Sequence, residues 1–262
     1  MYVYRAGGGP KVLLIHGVGS DHLTWRLIVP ALAAEREVWA VDLPGHGKTP
    51  AEADSGTFDG LVRSVTSFLE DEGLVGADMV GSSLGGRIVL ELARRGLAGN
   101  VVALDPGGFW AGWERTFLQT SLLGSVGMLH LARPALPLLA HNMVPRTALL
   151  AQLSAQPWAL DGNLVEHELE CYVSTRTFVE LVNEQAIAPA QEGDDGTSSG
   201  AITIGWGLHD RLCLPMQALR AQAAFPKARL HWFDNAGHYP AWDSPEETVA
   251  VIRETLAAPR NG

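Results

Sequence analysis

The sequence has little cysteine and a deficit of positive charge. Its 262 residues include 2 cysteines, Cys171 and Cys213, which argues against a disulfide framework and for two reduced thiols. The 19 lysines and arginines face 29 aspartates and glutamates, so the formal net charge is −10. Nucleic acids and anionic membranes attract basic surfaces, so we expect neither as a partner.

Long uninterrupted apolar segments are also lacking. The first residues carry no apolar stretch of the kind found in signal peptides. The leucine-rich stretch around 118–139 is interrupted by glycines, an arginine and prolines, so no transmembrane segment is expected. With 47% hydrophobic and 18% charged residues, the composition is typical of a soluble globular protein. We therefore expect a cytoplasmic monomer or homodimer with a small-molecule substrate.

Short apolar runs alternate with longer amphipathic segments. The runs, rich in β-branched residues, predict buried strands at 11–15, 38–41, 77–80, 101–104, 201–204 and 230–233. The segments between them predict helices at 24–34, 57–72, 84–95, 215–225 and 245–257. This alternation indicates the α/β class, a mostly parallel sheet with helices on both faces. The chain is long enough for one core of this kind.

Residues 107–190 break the alternation. They contain no convincing strand and read as several leucine-rich helices separated by prolines. The predicted organisation is therefore a core domain of residues 1–106 and 191–262, with 107–190 inserted as a helical cap over the ligand site. The alternative is a second packing layer with no role in ligand binding.

The pattern Gly-x-Ser-x-Gly occurs twice, at 81–85 (GSSLG) and at 196–200 (GTSSG). Only the first lies between a predicted strand and a predicted helix, the setting from which a nucleophilic serine projects. Its two glycines lack the Cβ atoms that would clash at so sharp a turn. We therefore predict Ser83 as a nucleophile. The N–H of Leu84, at the helix N-terminus, is the predicted donor to an oxyanion.

A second glycine-containing loop, 16–19 (HGVG), follows the first long predicted strand. Such a loop supplies the second oxyanion donor, which we assign to the N–H of Val18. A dinucleotide-binding loop is excluded because His22 stands where a third glycine is required. The segment 45–49 (GHGKT) imitates a phosphate-binding loop, but Asp42 occupies the position of its first glycine.

A nucleophilic serine needs a base and an acid. His238 follows the last predicted strand and therefore lies at the same sheet edge as Ser83, whereas His16 is expected to have a structural role. The imidazole needs a carboxylate to fix its tautomer. Asp210 follows the strand next to the one before His238 and is the favoured acid. Asp105, at the end of an earlier strand, is the rival.

Five segments together resemble the successive signatures of the α/β-hydrolase superfamily: 16–19, 42–47, 81–86, 207–210 and 237–238. The resemblance implies an eight-stranded, mostly parallel sheet with a helical cap inserted after strand 6. It also implies that no cofactor is needed. No metal is expected, because 167–171 (HELEC) lacks the second histidine of a zinc motif.

The same resemblance implies that Ser83, His238 and Asp210 form a catalytic triad, with Val18 and Leu84 as oxyanion donors. A serine at this turn separates the chain from the haloalkane dehalogenases and epoxide hydrolases of the fold, which use aspartate there.

We expect a carboxylesterase-like enzyme that cleaves a small, mostly apolar ester or related acyl compound through an acyl-enzyme. A carbon–carbon bond hydrolase, lactonase, thioesterase, perhydrolase, lyase or low-turnover ligand receptor remain alternatives. Residues expected to line the substrate pocket are Trp25, Phe109, Trp110 and His141.

Overall fold

The computed structural model describes residues 1–259, in which seven strands form one sheet in the order β1-β3-β2-β4-β5-β6-β7. The strands are β1 (Val3–Ala6), β2 (Lys11–Ile15), β3 (Glu37–Val41), β4 (Asp78–Ser82), β5 (Val101–Leu104), β6 (Ile202–Gly207) and β7 (Arg229–Phe233). Strand β1 pairs with β3 in antiparallel orientation, and all other pairs are parallel. The α/β class is confirmed, and the six predicted strands are all present.

Strand β1 has no counterpart in the sequence prediction. It is a four-residue edge strand whose central residues, Tyr4 and Arg5, are exposed, so it lacks the continuous apolar run of a strand covered on both faces. The number of strands also differs from the expected eight. Within residues 1–259 the sheet ends at β1 on one side and at β7 on the other, so the helical insertion follows the fifth strand of this chain, β5.

Helices surround the sheet and fill the insertion. The first core helices are α1 (Val29–Ala33), α2 (Phe58–Asp71) and α3 (Leu84–Arg94). The insertion contains α4 (Trp113–Ala132), α5 (Leu136–His141), α6 (Met143–Leu150), α7 (Gly162–Ser174) and α8 (Phe178–Ile187). The core continues with α9 (Met216–Ala224), α10 (Pro240–Asp243) and α11 (Pro245–Leu256). The helix predicted at 24–34 is divided into a 3-10 turn, His22–Trp25, and α1. Pro30 in the first turn of α1 has no N–H, so a helix can begin there but not continue through it.

Helix α4 and the segment after it form the longest helical stretch, Trp113–His141, with 29 residues. An 18-residue window within it has a mean hydropathy of 1.3 and is 22% buried, so length and composition alone would allow it to cross a membrane. The prolines divide this stretch as expected, whereas the glycines do not interrupt α4. Gly124 stands in the helix with open space around it, and Pro134 and Pro137 each occupy the first turn of a new helix, where no N–H is needed.

Candidate active site

Ser83 lies at the turn between β4 and α3, with a φ of 55° and a ψ of −114°. A positive φ is costly for a residue with a side chain and marks a position held by its surroundings. The turn is tight on both sides, because a Cβ on Gly81 would lie 2.1 Å from the carbonyl oxygen of Gly85, and one on Gly85 would lie 2.0 Å from that of Ile15. Leu84 begins α3, so its N–H has no acceptor within the helix.

The second Gly-x-Ser-x-Gly match has a different setting. Ser198 lies in the loop between α8 and β6, where its hydroxyl donates a hydrogen bond to Asp194 Oδ1 over 3.0 Å. Neither a strand before it nor a helix after it positions this serine. The fold therefore separates the two matches as the sequence context predicts.

His238 and Asp210 form a buried hydrogen-bonded pair. Nδ1 of His238 lies 2.8 Å from Oδ2 of Asp210, and both side chains are shielded from solvent. The other oxygen, Oδ1 of Asp210, accepts hydrogen bonds from the N–H groups of Leu212 and Cys213. Nε2 of His238 is buried with no hydrogen-bond partner among residues 1–259. The carboxylate thus fixes the imidazole from one side and leaves the second nitrogen available for proton transfer.

The loops that carry Ser83 and His238 meet over Gly17. A Cβ placed on Gly17 would lie 3.1 Å from Cβ of Ser83 and 3.3 Å from the hydroxyl oxygen of Tyr239. The rings of Tyr239 and His238 are adjacent, with centroids 5.1 Å apart. Glycine at position 17 therefore allows the loops that carry Ser83 and His238 to approach each other, because a side chain there would crowd both.

Asp105, the rival acid, lies on the same sheet edge at the end of β5. It has a φ of 43°, and its Oδ1 accepts a hydrogen bond from the N–H of Gly207 over 2.8 Å. Burial, together with the charge of Asp210, raises the pKa of Asp105 well above its ordinary value. Asp210 accepts the hydrogen bond from His238, and Asp105 stands behind it as a second buried carboxyl group.

Val18 belongs to the loop after β2, and we call residues 16–21 the donor loop. His16 fixes its beginning, because its Nε2 accepts a hydrogen bond from the N–H of Leu43 at 3.0 Å and its Nδ1 lies 2.7 Å from the carbonyl oxygen of Gly17. Burial lowers the pKa of His16, so the ring stays neutral and Nδ1 carries the proton donated to that carbonyl. His16 therefore shapes the donor loop.

Asp243 anchors the loop that carries His238, a role that the sequence analysis did not predict. Its Oδ2 accepts hydrogen bonds from the N–H groups of Gly237 and Ala155, each at 2.8 Å, and its Oδ1 accepts one from the hydroxyl of Ser154 at 2.5 Å. One carboxylate thus joins the loop of His238 to the insertion. No local pattern could reveal this role, because two of the three partners lie almost 90 positions away in sequence.

An apolar cavity of about 340 Å³ opens in the insertion beside the donor loop. Apolar side chains of α4 and α6 form nearly half of its wall, including Leu122, Val126 and Leu149. Tyr172 and Phe178 also line it, and a Cβ on Gly19 of the donor loop would lie within 2.7 Å of both rings. Two residues that line the cavity therefore also lie against the loop that carries the N–H of Val18.

The four residues expected to line the substrate pocket are not among the residues that line this cavity. Trp25 and Phe109 are enclosed in the core, and Trp110 is buried beside a guanidinium group. His141 is at the surface of the insertion, with its Nε2 3.0 Å from Oε2 of Glu166. In the described part of the chain, none of the four lines the apolar cavity. An aromatic residue of the core cannot be told from one of a pocket by sequence pattern, since both occur in apolar segments.

Three groups of side chains bring possible metal-ligand atoms within 4.8 Å of one another: Asp21, His167 and Cys171; Asp210, Cys213 and His238; Asp21, His22 and Asp42. In each group a histidine nitrogen lies 2.7 to 2.9 Å from a carboxylate oxygen. Ligands around a tetrahedral zinc ion are about 3.3 Å apart. The three groups are therefore arranged as hydrogen-bonded pairs.

The chain is similar to known proteins in sequence and in fold. The model of the alpha/beta hydrolase family matches residues 12–251. The 2-hydroxy-6-oxo-6-phenylhexa-2,4-dienoate hydrolase of Burkholderia cepacia is 29% identical over 280 residues, which cover 100% of this chain and 92% of that protein.

Two solved structures share the fold. A putative lipase from Acinetobacter baumannii AYE has a TM-score of 0.77 at 19% identity, with 96% of this chain and 85% of that chain covered. The enol-lactonase from Burkholderia xenovorans LB400 has a TM-score of 0.76 at 19% identity, with coverages of 98% and 96%. The family match, which spans nearly the whole chain, identifies this protein as a member of the α/β-hydrolase family.

Proposed function

We propose that the protein is a serine hydrolase of small, mostly apolar carboxylic esters. Ser83 is the nucleophile, His238 the general base and Asp210 the acid that orients it. The observation that carries the proposal is the buried hydrogen-bonded pair of His238 and Asp210. Nε2 of His238 has no hydrogen-bond partner within residues 1–259, and the pair lies at the sheet edge where Ser83 has its positive φ. These are the parts required for attack by an alkoxide at neutral pH.

The proposed reaction proceeds through an acyl-enzyme. Nε2 of His238 takes the proton of the Ser83 hydroxyl as its oxygen attacks the carbonyl carbon. The N–H groups of Val18 and Leu84 stabilise the oxyanion, and His238 then gives the proton to the leaving alcohol. Water, activated by the same imidazole, attacks the acyl-enzyme and releases the acid.

The apolar cavity supports an uncharged acyl group as the ligand. Its lining contains three residues with polar side-chain atoms, Ser125, Gln152 and Tyr172, and no lysine, arginine or histidine among the described residues. Binding an acyl chain against such a wall is favourable, because each Å² of apolar surface removed from water contributes about 25 cal/mol. We therefore propose that residues 107–190 act as the cap that binds the acyl chain.

Carbon–carbon bond hydrolysis is the second candidate, favoured by the relative from Burkholderia cepacia. The substrate in that relative's name is a keto acid without an ester linkage, so its hydrolysis breaks a carbon–carbon bond. Its carboxylate would need a cationic or strongly donating partner, and the cavity of this chain offers no basic side chain within residues 1–259. The ester therefore fits the cavity better.

A panel of p-nitrophenyl esters of increasing acyl length tests the proposal, with Ser83→Ala as the control. We expect turnover by the wild type and a loss on the order of 10⁵-fold in kcat in the variant. Equal rates for both proteins on every ester contradict ester hydrolysis. Turnover of the phenylhexadienoate keto acid without turnover of any ester favours the second candidate instead. Stoichiometric labelling of Ser83 by an organophosphate, without turnover of either, indicates a receptor.

A further inference from the structure

Helix α7 of the insertion is hydrogen-bonded to the donor loop. The hydroxyl of Ser20 donates to Oε2 of Glu168 over 2.8 Å, and both residues are 0% exposed. The two positions are 148 residues apart in sequence. This contact therefore exists only because the insertion folds back onto the core at the place where the donor loop passes.

Neighbouring residues of the same loop contact the same helix. Oδ2 of Asp21 lies 2.9 Å from Nε2 of His167. Gly19 has a φ of 75°, and a Cβ there would lie 2.5 Å from the ring of Tyr172. Three consecutive residues of the donor loop are thus held by α7, two through hydrogen bonds and one through close packing.

Helix α7 also reaches the loop of the proposed base. The hydroxyl oxygens of Tyr172 and Tyr239 are 3.0 Å apart, and Tyr239 follows His238 directly in sequence. The backbone of the donor loop adds longer hydrogen bonds, from the N–H of Ser20 to the carbonyl of Gly17 at 3.4 Å and from the N–H of Thr24 to the carbonyl of Asp21 at 3.2 Å. The side chains of α7, together with His16 at the start of the loop, therefore restrain the donor loop.

Oxyanion stabilisation depends on donors that are fixed before the reaction begins. If the loop that carries a donor must first be ordered, the free energy of ordering offsets the stabilisation that the donor provides. We propose that Glu168 is a positioning residue for the oxyanion site: through Ser20 it fixes the loop that presents the N–H of Val18. This inference rests on the proposed function, in which Val18 is one of the two donors. Glu168 acts through Ser20 and has no contact with substrate in this role.

The protonation state of Glu168 bears on this role. Burial raises its pKa to about 7; the charge of Asp21 acts in the same direction, while the hydrogen bond of Ser20 and the charges of His167 and Arg26 oppose it. Oε1 has no hydrogen-bond partner within residues 1–259, and the guanidinium of Arg26 lies 4.0 Å away. The other titratable groups that interact with this carboxyl group are Cys171, Tyr172 and Tyr239.

Burying a neutral carboxyl group that has one oxygen without a hydrogen-bond partner costs far less free energy than burying a carboxylate with the same unpaired oxygen. The hydrogen bond from Ser20 lowers the pKa of Glu168, so it is stronger to the carboxylate and is present in both protonation states. Glutamine at this position keeps an oxygen that accepts from Ser20 and cannot ionise, so we expect Glu168→Gln to retain most of the wild-type kcat.

The experiment compares Glu168→Ala, Glu168→Gln, Ser20→Ala and the double variant Ser20→Ala/Glu168→Ala. Each is assayed for kcat and KM on an ester that the wild type cleaves, and for the rate of labelling of Ser83 by an organophosphate. We expect Glu168→Ala and Ser20→Ala each to lower kcat by about 10- to 100-fold, less than the loss of an oxyanion donor itself, with KM almost unchanged. The double variant should lose no more than either single one, because both act through one hydrogen bond.

Glu114→Ala is the matched control. Glu114 is also a buried glutamate that joins the insertion to the core, through Arg220 of α9, but within residues 1–259 its hydrogen bonds are to Ala111 and Arg220 and none is to the donor loop. It should lower the melting temperature and leave kcat unchanged. If Glu168→Ala lowers only the melting temperature, or if Glu168→Gln loses as much kcat as Glu168→Ala, the positioning role is wrong.

Failure of the proposed function has a different signature. If the wild type hydrolyses no ester, the proposed function is contradicted, and the rate of Ser83 labelling still reports on the oxyanion site. A labelling rate that falls in Glu168→Ala and is restored in Glu168→Gln supports the positioning role. Equal labelling rates in all variants overturn it.

Discussion

His238 and Asp210 are joined by a hydrogen bond of 2.8 Å in a region from which solvent is excluded, and Asp105 lies beside them as a second buried carboxyl group. One of the two acids contacts the imidazole and the other does not. The carboxylate that accepts a hydrogen bond from the imidazole stabilises the charge formed during proton transfer. Asp105, which does not contact the imidazole, can do so only indirectly.

This difference predicts unequal effects of two matched substitutions. Asp210→Asn should lower kcat by about 10⁴-fold, because the amide no longer fixes the tautomer of His238 or stabilises its charge. Asp105→Asn keeps an oxygen that accepts from the N–H of Gly207 and should change kcat by less than about 10-fold. Ester assays of both variants check this. A larger loss in Asp105→Asn would make Asp105 the acid.

The raised pKa of Asp105 predicts a pH dependence of stability. In the unfolded chain an aspartate ionises near pH 3.9, whereas the folded chain holds Asp105 protonated to much higher pH. The contribution of Asp105 is therefore fully present below about pH 4 and is lost as the pH rises, at up to about 1.4 kcal/mol per pH unit.

Urea unfolding of the wild type and of Asp105→Asn, measured between pH 4 and pH 8, checks this sign. We expect the variant to gain stability relative to the wild type as the pH increases. Parallel curves would mean that Asp105 is ionised in the folded protein.

Two glycines predict opposite changes in stability. Gly85→Ala places a Cβ 2.0 Å from the carbonyl oxygen of Ile15, and the backbone shift should cost more than about 3 kcal/mol or prevent folding. Gly124→Ala adds a Cβ in open space within α4 and should stabilise the protein by about 0.5 to 1 kcal/mol. Thermal unfolding of both variants measures the difference, and destabilisation by Gly124→Ala would contradict the helix geometry at that position.

The cavity predicts a change in chain-length preference. Ala148 lines it, so Ala148→Phe should fill part of the space and lower kcat/KM for the longest accepted acyl chain by about 10-fold or more, with short esters less affected. Leu131→Phe is the control, since Leu131 belongs to the same insertion but is 87% exposed and outside the cavity. The same chain-length profile in both variants would show that the acyl chain binds elsewhere.

Local sequence was sufficient for the core strands and for the serine turn. The central strands are covered on both faces, so each is a continuous apolar run that is visible without tertiary information. The turn at 81–85 was distinguished from 196–200 by the strand before it and the helix after it, and the structure has both. The edge strand β1 was missed because its exposed residues break the apolar run, and the glycines of α4 were expected to interrupt a helix that they do not interrupt.

The sequence by itself determined the α/β class, the order of the candidate catalytic residues and the edge of the sheet where they meet, because these follow from chain order and strand polarity. Only the tertiary structure decided which acid contacts His238, since Asp105 and Asp210 both end near that edge. It also decided where the apolar cavity lies and that Glu168 and Asp243 restrain the loops of the site. These are contacts between distant segments, and packing of the insertion against the core selects them.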